Sequence, residues 1–417
     1  MRRKIVRFGG WVALGMLALG LVGEARAQEK PFCSSQLELL NEYLGPLVKP
    51  PSSPAGKDGQ AVGVEVVTLK LGEEPCFFRG GEMILGSGVP PDENTIFELA
   101  SVTKVFTTAI LALRSQQFFP VDASVEPFLP PDYKLQTNEQ EVTFQQLATF
   151  TGGFPWDQPP GFNWKDGYTQ GEFVKQVNKL DPKHKFNGVS YLPTKDNYSN
   201  GSIGFLGQIL MYMDAGSKGD EYHHAAGFSK WISKNLTGPL DMPNTAVEPF
   251  CCDWAQGYKE LADGSYEPLD GFPWVPWGPA GALRSNAKDM LKFLAANICA
   301  YHQGNPACTG FPQDILDALP TAHGPNTYIP VGTLSDPMIY IGKEGSLAEQ
   351  GWAWRYLAPP DPNPNNVTPI ISKDGGHPGF STYIGFNPHK KYGLVILMNT
   401  GKVAAKKAGL EILKHTP

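Results

Sequence analysis

The spacing of apolar positions changes repeatedly along the first part of the chain. Residues 34–48 carry apolar side chains at helical intervals and predict a helix. Residues 61–69 are β-branched and almost continuously apolar, which predicts a buried strand, and residues 76–79 are its expected hairpin partner. A further helical run covers residues 97–109, so this part of the chain is expected to combine helices with paired strands.

The last part of the chain returns to strand and helix patterns after a less regular middle. Residues 381–388 and 392–400 predict two strands around a turn, and residues 403–414 predict a closing helix. From about residue 120 to 275, Pro, Gly and aromatic residues separate short helical stretches such as 228–236. This order predicts one α/β unit built from both chain ends, with an inserted helical region.

We therefore expect three regions. Residues 1–27 form a separate leader, residues 28–120 and 275–417 form an α/β region with a central antiparallel sheet, and residues 121–274 form the inserted helical region. The active site is expected between the last two. With 417 residues, 41% of them hydrophobic and 18% charged, the composition is that of a globular protein with a large core.

The leader has the pattern of a secretory signal peptide. Positive charges within residues 2–7 precede a short apolar run at residues 11–23, and the Ala-Arg-Ala sequence that ends at Ala27 predicts cleavage after that residue. We expect a secreted or periplasmic protein with no membrane span once the signal is removed. The Arg2-Arg3 pair permits the twin-arginine route, so the sequence leaves open whether export uses this route or the Sec route.

Charge excludes one class of partner. The whole chain carries 35 Lys and Arg against 41 Asp and Glu, a net charge of −6. Removal of residues 1–27 takes away five positive charges and one negative charge, which leaves 30 against 40 and a net charge of about −10. Such a surface repels nucleic acid and anionic lipid, so no nucleic-acid partner is expected.

All six cysteines lie after residue 27, an even number in a chain expected to enter an oxidising compartment. Disulfides are possible, although spacing does not fix their connectivity, and burial as small apolar side chains is the alternative. Cys299 and Cys308 would close a short loop. No CxxC pair indicates zinc, and His223 and His224 lack a carboxylate at metal-binding spacing, so we expect no metal and no other cofactor.

Ser101 and Lys104 are one helical turn apart in the apolar run at residues 97–109, so they project from the same helix face. Alone, the pair has an ordinary alternative, a helix-start serine beside a solvated lysine. Two later motifs favour chemistry, Tyr198-Ser199-Asn200 and Lys373-Asp374-Gly375. A SxxK pair with a second polar motif and a Lys-x-Gly strand motif is typical of serine β-lactamases and penicillin-binding proteins.

With these motifs the chain resembles the class C β-lactamases and the related periplasmic penicillin-binding DD-peptidases. In that family a Lys-Thr-Gly strand runs into a Gly-Phe-x-x-Tyr-x-x-Phe-x-Pro segment, and residues 373–388 match this order without a gap. The likeness extends over roughly residues 60–412 and includes residues 147–155, 238–245, 254–258 and 351–359. It implies the β-lactamase/transpeptidase-like α/β (α+β) fold, in which an antiparallel sheet is flanked by terminal helices and joined to an inserted all-α region.

A serine hydroxyl needs a neighbouring base to become a nucleophile at neutral pH. Lys104 lies one turn from Ser101, and burial would lower its pKa toward that of a base. The resemblance implies that Ser101 is the nucleophile and that Tyr198 shuttles its proton to the leaving group. Lys104 and Lys373 would hold the Tyr198 phenol toward its anionic form.

The resemblance also implies a set of substrate contacts. Asn200 would orient the substrate's amide, and the backbone N–H groups of Ser101 and Gly376 would form the oxyanion hole. Gly375 belongs to the same strand motif and is expected beside the substrate.

Three features depart from the family pattern, and all of them lie around the expected substrate. The middle residue of the strand motif is usually a hydroxyl that helps to bind a substrate carboxylate, but here it is Asp374, whose charge would repel one. The side chain expected to contact the acyl amide falls on Asp157, with Gln158 next to it. Residues 399–402 only partly resemble the stretch that supplies further carboxylate contacts.

His377 has two readings. As part of His377-Pro378-Gly379 it is an alternative to Lys373, as in some esterase and aminopeptidase relatives, but the gapless fit of residues 373–388 favours Lys373. His377 is then expected at the lip of the site, in reach of substrate.

We expect a monomeric, cofactor-free serine hydrolase that forms an acyl-enzyme with a β-lactam or a peptidoglycan DD-peptide. A carboxylesterase on the same scaffold is the alternative that Asp374 favours, because an ester needs no carboxylate contact. A penicillin-binding sensor that acylates without turnover is a third possibility.

Overall fold

The structure is a computed structural model, and the elements below refer to the residues that it describes. These are residues 22–23, 31–48, 59–129, 135, 141–152, 154, 198–215, 225–249, 252–271, 277–323, 339–341, 347–358 and 369–416. Their helices are α1 (Pro31–Leu44), α2 (Thr103–Gln117), α3 (Phe144–Ala148), α4 (Asn200–Ala215), α5 (Ala225–Ile232), α6 (Ala287–Cys299), α7 (Gln313–His323) and α8 (Ala405–His415). Their strands are β1 (Val22–Gly23), β2 (Gly63–Lys70), β3 (Cys76–Gly81), β4 (Phe97–Glu98), β5 (Gly257–Glu260), β6 (Tyr266–Leu269), β7 (Arg284–Ser285), β8 (Ile339–Ile341), β9 (Leu347–Gln350), β10 (Arg355–Ala358), β11 (Ile370–His377), β12 (Phe380–Asn387) and β13 (Tyr392–Met398).

An antiparallel sheet of nine strands organises the described residues. The strand order is β1-β3-β2-β13-β12-β11-β10-β9-β8, and every neighbouring pair is antiparallel. At its centre β2 pairs with β13, with Val66 opposite Ile396. The sheet therefore joins strands from both ends of the chain, which confirms the predicted fold class.

The two faces of the central strands pack against different helices. Val64 of β2 belongs to a buried cluster with Leu40 of α1 and Ile412 of α8. Val67, on the opposite face, belongs to the larger cluster that contains Leu294 of α6. Alternate residues of a strand point to opposite faces, so burial on both sides explains the nearly continuous apolar sequence of β2.

The helical run predicted at residues 97–109 begins later than expected. Phe97–Glu98 form β4 and pair with β7, and Ala100–Val102 make a single 3₁₀ turn before α2 starts at Thr103. Pairing with a segment distant in sequence removes the first residues from the helix, and local spacing does not show such pairing. Ser101 consequently lies in the turn that leads into α2.

Two disulfides are defined by both of their cysteines. Cys33 of α1 is bonded to Cys76 of β3, and Cys299 at the end of α6 is bonded to Cys308. Cys252 is also disulfide-bonded, and Cys251 lies outside the described residues. The disulfides considered possible from the sequence are therefore present.

Some sequence predictions concern processing and region boundaries. Among the described helices, none has both the length and the apolar character required to cross a membrane. Val22–Gly23 pair with β3 at the sheet edge, and the signal peptide over residues 1–27 stays a prediction. The boundaries of the inserted region also stay predictions; its described part contains α3 to α5 and the hairpin β5–β6.

Candidate active site

Ser101 lies in a strained turn at the entrance to α2. The preceding residue, Ala100, has φ of 46°, a left-handed conformation that costs a non-glycine residue roughly 1–3 kcal/mol. The residue before Ala100 is held at both of its backbone polar groups, since Leu99 N–H donates to Leu283 O over 2.8 Å and Thr382 Oγ1 donates to Leu99 O over 2.9 Å. These contacts fix the half-buried Ser101 at the positive end of the helix.

Lys104 is fully buried and reaches three acceptors. Its Nζ lies 2.9 Å from Ser101 Oγ, 2.6 Å from Asn200 Oδ1 and 2.6 Å from the carbonyl oxygen of Ala280. A charged amine donates along all three contacts. A neutral amine would instead accept the Ser101 proton along the first contact, so the geometry suits either protonation state of a base.

The acceptors of Lys104 are positioned by close packing between α4 and the turn at residues 277–280. A Cβ on Gly207 would lie 2.2 Å from Pro279 Cβ, and one on Gly204 would lie 2.4 Å from the Trp277 ring. Thr107 Oγ1 of α2 donates to Pro279 O over 2.7 Å and fixes the same turn. Glycine at both positions therefore lets the Ala280 carbonyl approach the buried amine.

The start of α4 places two motif residues beside Lys104. Ser199 Oγ accepts a hydrogen bond from Ser202 N–H over 2.9 Å and caps the helix, while Ser202 Oγ donates to Leu147 O over 2.7 Å. Asn200 is the first residue of α4, and Tyr198 precedes the cap. The local role of Ser199 is thus structural, and its neighbours on each side face the site.

The Tyr198 ring lies between two lysines. Lys104 Nζ is 5.0 Å and Lys373 Nζ is 5.2 Å from the ring centroid, and the Phe150 ring packs against it at 4.8 Å. Ammonium groups at this distance are attracted to the ring face and also favour a phenolate over a neutral phenol.

Lys373 of β11 is almost completely buried and donates to Asp374 O over 2.6 Å. Burial, with the charges of Arg355 and Lys406, lowers the pKa of its ammonium to about 8, and the Asp374 carboxylate opposes this shift. Lys373 is therefore a cation that can lose its proton within the range of ordinary assays.

Gly375 and Gly376 have different surroundings. A Cβ on Gly375 would lie 2.3 Å from Leu99 O and 2.4 Å from Thr382 Oγ1, so only glycine lets β11 run against the Ser101 turn. On Gly376 the nearest atom would be Phe380 O at 3.9 Å, and the residue is exposed. The backbone of Gly376 is thus open to a substrate. It lies one residue along β11 from Gly375, where the strand meets the Ser101 turn.

Asp374 is paired within the chain, which modifies the repulsion expected from the sequence. Its Oδ1 lies 3.6 Å from Lys406 Nζ of α8 and 3.9 Å from Lys373 Nζ. Burial alone would raise the pKa of the carboxyl, but Lys373, Lys406 and the charge of Arg355 hold it well below its usual range. The carboxylate is therefore ionised and compensated. Lys406 has no motif in the sequence, where it resembles any solvated lysine of an amphipathic helix.

His377 is paired within the chain, and its expected contact with substrate stays a prediction. Its Nε2 lies 2.5 Å from Glu98 Oε2, and Glu98 Oε1 accepts from Arg284 Nη2 over 2.8 Å. Burial tends to raise the pKa of Glu98, but the hydrogen bond and charge of His377, together with Arg284, lower it overall. The structure thus links His377 to the strand that precedes Ser101.

Other expected contacts have separate outcomes. Asp157 and Gln158 lie outside the described residues. Asn399 is fully buried: its Oδ1 accepts from Gly63 N–H over 2.6 Å, and its Nδ2 donates to Met83 O over 3.0 Å. This residue therefore joins backbone segments.

Within the described part of the chain, no three His, Cys, Asp or Glu side chains form a group that could hold a metal ion.

Comparison with known proteins shows what the chain is similar to. Among curated proteins, a beta-lactamase of Lysobacter lactamgenus is 28% identical over 324 residues, which cover 73% of this chain and 74% of that protein. The D-alanyl-D-alanine-carboxypeptidase/endopeptidase AmpH of Escherichia coli K12 is 24% identical over 349 residues, covering 81% and 79%.

Solved structures agree on the fold. A beta-lactamase from Sulfitobacter sp. EE-36 superposes with a TM-score of 0.68 at 20% identity, covering 92% of this chain and 97% of that one. A class C beta-lactamase from Rhodobacter sphaeroides gives 0.63 at 21% identity, covering 85% and 94%. The Beta-lactamase family model matches residues 54–415. A match over this length shows that the chain belongs to the Beta-lactamase family and is an enzyme of the serine-hydrolase type.

Proposed function

We propose that the protein hydrolyses its substrate through an acyl-enzyme on Ser101. The observation that carries this proposal is the buried contact of 2.9 Å between Lys104 Nζ and Ser101 Oγ, with the Tyr198 ring between Lys104 and Lys373. A nucleophile within hydrogen-bond reach of a positioned base is the arrangement that acyl transfer requires. Lys104, Ser101 and Tyr198 provide a proton path, and Lys373 provides positive charge.

The proposed first step transfers an acyl group to the enzyme. The Ser101 hydroxyl loses its proton to neutral Lys104 or to the Tyr198 phenolate, and its oxygen bonds to the substrate carbonyl carbon. The N–H groups of Ser101 and Gly376 stabilise the negative charge on the carbonyl oxygen. The bond to the leaving nitrogen or oxygen then breaks, and Tyr198 delivers a proton to that atom.

The second step returns the enzyme to its starting state. Water attacks the acyl carbon while the Tyr198 phenolate accepts its proton, and the bond to Ser101 Oγ breaks. Lys104 or Tyr198, whichever holds the proton, returns it to Ser101 Oγ, and the product acid leaves. Asn200, held by Lys104 over 2.6 Å, is placed to orient the acyl group.

The proposed site lies between the two structural regions. Ser101, Lys104 and Lys373 come from the segments assigned to the α/β region, and Tyr198 and Asn200 come from the inserted helical region. The hydrogen bond from Lys104 to Asn200 Oδ1 joins the two, which supports an active site at their boundary.

We propose a β-lactam or a peptidoglycan DD-peptide as the substrate class, on the basis of the motif set and the related proteins. A carboxylesterase is the second candidate. One observation favours it: the strand motif carries the ionised carboxylate of Asp374 at the position where the family usually has a hydroxyl that helps to bind a substrate carboxylate.

Export is part of the proposal. The charged, apolar and small-residue order of residues 1–27 supports a signal peptide, and the bonds Cys33–Cys76 and Cys299–Cys308 support folding in an oxidising compartment. We propose a periplasmic or secreted monomer.

Intact-mass spectrometry tests the proposal. The protein is incubated with a fluorescent penicillin or a short p-nitrophenyl ester, beside Ser101→Ala and Lys104→Met. We expect a Ser101-dependent adduct that forms and decays, slowed at least 1,000-fold in Lys104→Met because the base is lost. The exposed Lys292, replaced as Lys292→Met, is the matched control and leaves the rate unchanged.

The outcomes separate the candidates. A penicillin adduct that decays supports the β-lactam or DD-peptide class, and ester turnover alone supports the carboxylesterase. A penicillin adduct that persists identifies a sensor without turnover. Hydrolysis of every substrate by Ser101→Ala at the wild-type rate contradicts the proposal.

A further inference from the structure

Positive charge converges on Asp374 from three elements. Lys373 of β11 and Lys406 of α8 lie 3.9 and 3.6 Å from Asp374 Oδ1. Arg355 of β10 adds a third charge, and its field lowers the pKa of the carboxyl together with theirs. Three cations and one carboxylate leave an excess of positive charge around a single anion.

The carboxylate occupies a position that remains accessible. The Asp374 and Lys406 side chains are 36% and 37% exposed, whereas Lys373 is 3% exposed. Strand alternation directs Lys373 toward Tyr198 and Asp374 toward α8. The anion is thus next to the proposed chemistry and open to solvent.

A cluster of this kind binds one carboxylate group. Lysine and arginine form their strongest hydrogen bonds with carboxylates, and an anion among them is stabilised by each charge. Here the chain itself supplies the anion at a fixed effective concentration. An incoming carboxylate would have to share the same cations with Asp374.

We propose that Asp374 is a built-in occupant of an anion subsite and that it selects substrates with no free carboxylate beside the scissile bond. This inference rests on the acyl-enzyme chemistry of the proposed function. Of its two candidate substrate classes it favours the carboxylesterase, because a free β-lactam or DD-peptide carries a carboxylate that Asp374 would repel. Esters and amides with an uncharged leaving group are the acyl donors that fit. Lys373 and Lys406 together keep Asp374 ionised and in place.

The test compares each acyl donor with its own ester. The donors are benzylpenicillin and its methyl ester, and an S-acyl thioglycolate and its methyl ester, which differ only in the free carboxylate. Rates of Ser101 acylation are measured at pH 6.5, where Lys373 is charged. The wild type is compared with Asp374→Thr and Asp374→Asn, which remove the charge, and with Asp374→Glu, which keeps it.

We expect the wild type to favour the methyl ester of each pair. Asp374→Thr and Asp374→Asn should raise the acid-to-ester ratio of kcat/KM at least tenfold, while Asp374→Glu should leave the preference for the ester. An acid-to-ester ratio that is the same in all four proteins overturns the inference and leaves the proposed function intact.

A second readout does not depend on catalysis. The melting temperature is measured against sodium acetate at constant ionic strength with chloride. A saturable rise in Asp374→Thr that is absent from the wild type supports the subsite, even if no donor acylates Ser101 and the proposed function fails. No acetate effect in Asp374→Thr or Asp374→Asn, with no change in donor preference, overturns the inference.

Discussion

Lys373 combines burial with a position beside Tyr198, so its protonation is expected to control activity. Its pKa of about 8 means that the ammonium is present below that pH and lost as the pH rises through it. In the proposed mechanism this charge holds Tyr198 toward its phenolate. The alkaline side of the pH profile should therefore report on this one residue.

We predict that Ser101 acylation falls above about pH 8 and that Lys373→Arg moves this fall upward by more than one pH unit. The guanidinium keeps its proton throughout this range. Because the Asp374 carboxylate raises the pKa of Lys373, Asp374→Asn should move the fall to lower pH. Rates of Ser101 acylation between pH 5 and 10 provide the measurement. If the rate of Lys373→Arg falls at the same pH as that of the wild type, the titrating group is not Lys373.

The sequence predicts the residues of the site unequally. Ser101, Lys104 and Lys373 belong to motifs whose residue types carry the chemistry, so they can be identified without a structure. Ala280 contributes a backbone carbonyl, which has no residue-type signature. Lys406 is recognisable as a partner of Asp374 only after β11 and α8 have packed together.

At the scale of elements, the contact between α4 and the turn at residues 277–280 determines the geometry around Lys104. Alanine is normally better than glycine within a helix by about 1 kcal/mol. At Gly207, however, the added Cβ would lie 2.2 Å from Pro279 Cβ. The clash therefore outweighs the gain in helix propensity.

We predict that Gly207→Ala lowers the free energy of unfolding by about 1–3 kcal/mol, in the range of other overpacked sites. It should also slow Ser101 acylation at least tenfold, because the turn that carries Ala280 must move away from Lys104. Gly281→Ala, in the same turn with no atom within 4 Å of the added Cβ, is the control. If Gly207→Ala and Gly281→Ala have the same free energy of unfolding in urea and the same acylation rate, the contact between Gly207 and Pro279 does not determine the geometry around Lys104.

The contact between His377 Nε2 and Glu98 Oε2 connects β11 with β4, the two strands that flank Ser101. Glu98 has a lowered pKa, so its contribution to stability is present above the pKa of the unfolded chain and is lost as the pH falls through the folded value. The contact thus makes this junction sensitive to acid.

We predict that Glu98→Gln is less stable than the wild type at pH 7, because Arg284 loses its buried partner, at a cost of about 3–5 kcal/mol. The difference should narrow as the pH falls below about 4.5, the ordinary value for the group. Urea unfolding of Glu98→Gln and the wild type at pH 7 and pH 4 measures the difference in stability at each pH. A difference in the free energy of unfolding that is the same at both pH values would mean that Glu98 does not contribute through its charge.

Elements are predictable from sequence where burial is simple. β2 and β13 are apolar on both faces, and the predicted strands at residues 61–69 and 392–400 overlap them. The start of α2 is different, because β4 pairs with β7 and shortens the helical run. That pairing depends on a tertiary contact.

At the scale of the whole molecule, the two defined disulfides close loops of different length. Cys33 and Cys76 are 43 residues apart, whereas Cys299 and Cys308 are 9 apart. A longer loop restricts the unfolded chain more, which gives stabilisations of about 4 and about 2.5 kcal/mol in the loop-entropy description. The even number of cysteines predicts bonds, but only the folded chain shows which residues pair.

We predict that the double variant Cys33→Ser/Cys76→Ser loses more stability than Cys299→Ser/Cys308→Ser, by about 1–2 kcal/mol. Urea unfolding of the three oxidised proteins provides the comparison, and circular dichroism confirms that each variant folds. The reverse order would show that contacts in the folded state, rather than loop length, dominate.

The pairing of β2 with β13 also has a consequence for the time course of folding. During synthesis, residues 63–70 emerge long before residues 392–398, so the centre of the sheet stays incomplete until nearly the whole chain is available. Contacts between distant segments form slowly and leave strand edges exposed meanwhile. One edge of β2 therefore stays unpaired and open to aggregation until β13, its C-terminal partner, arrives.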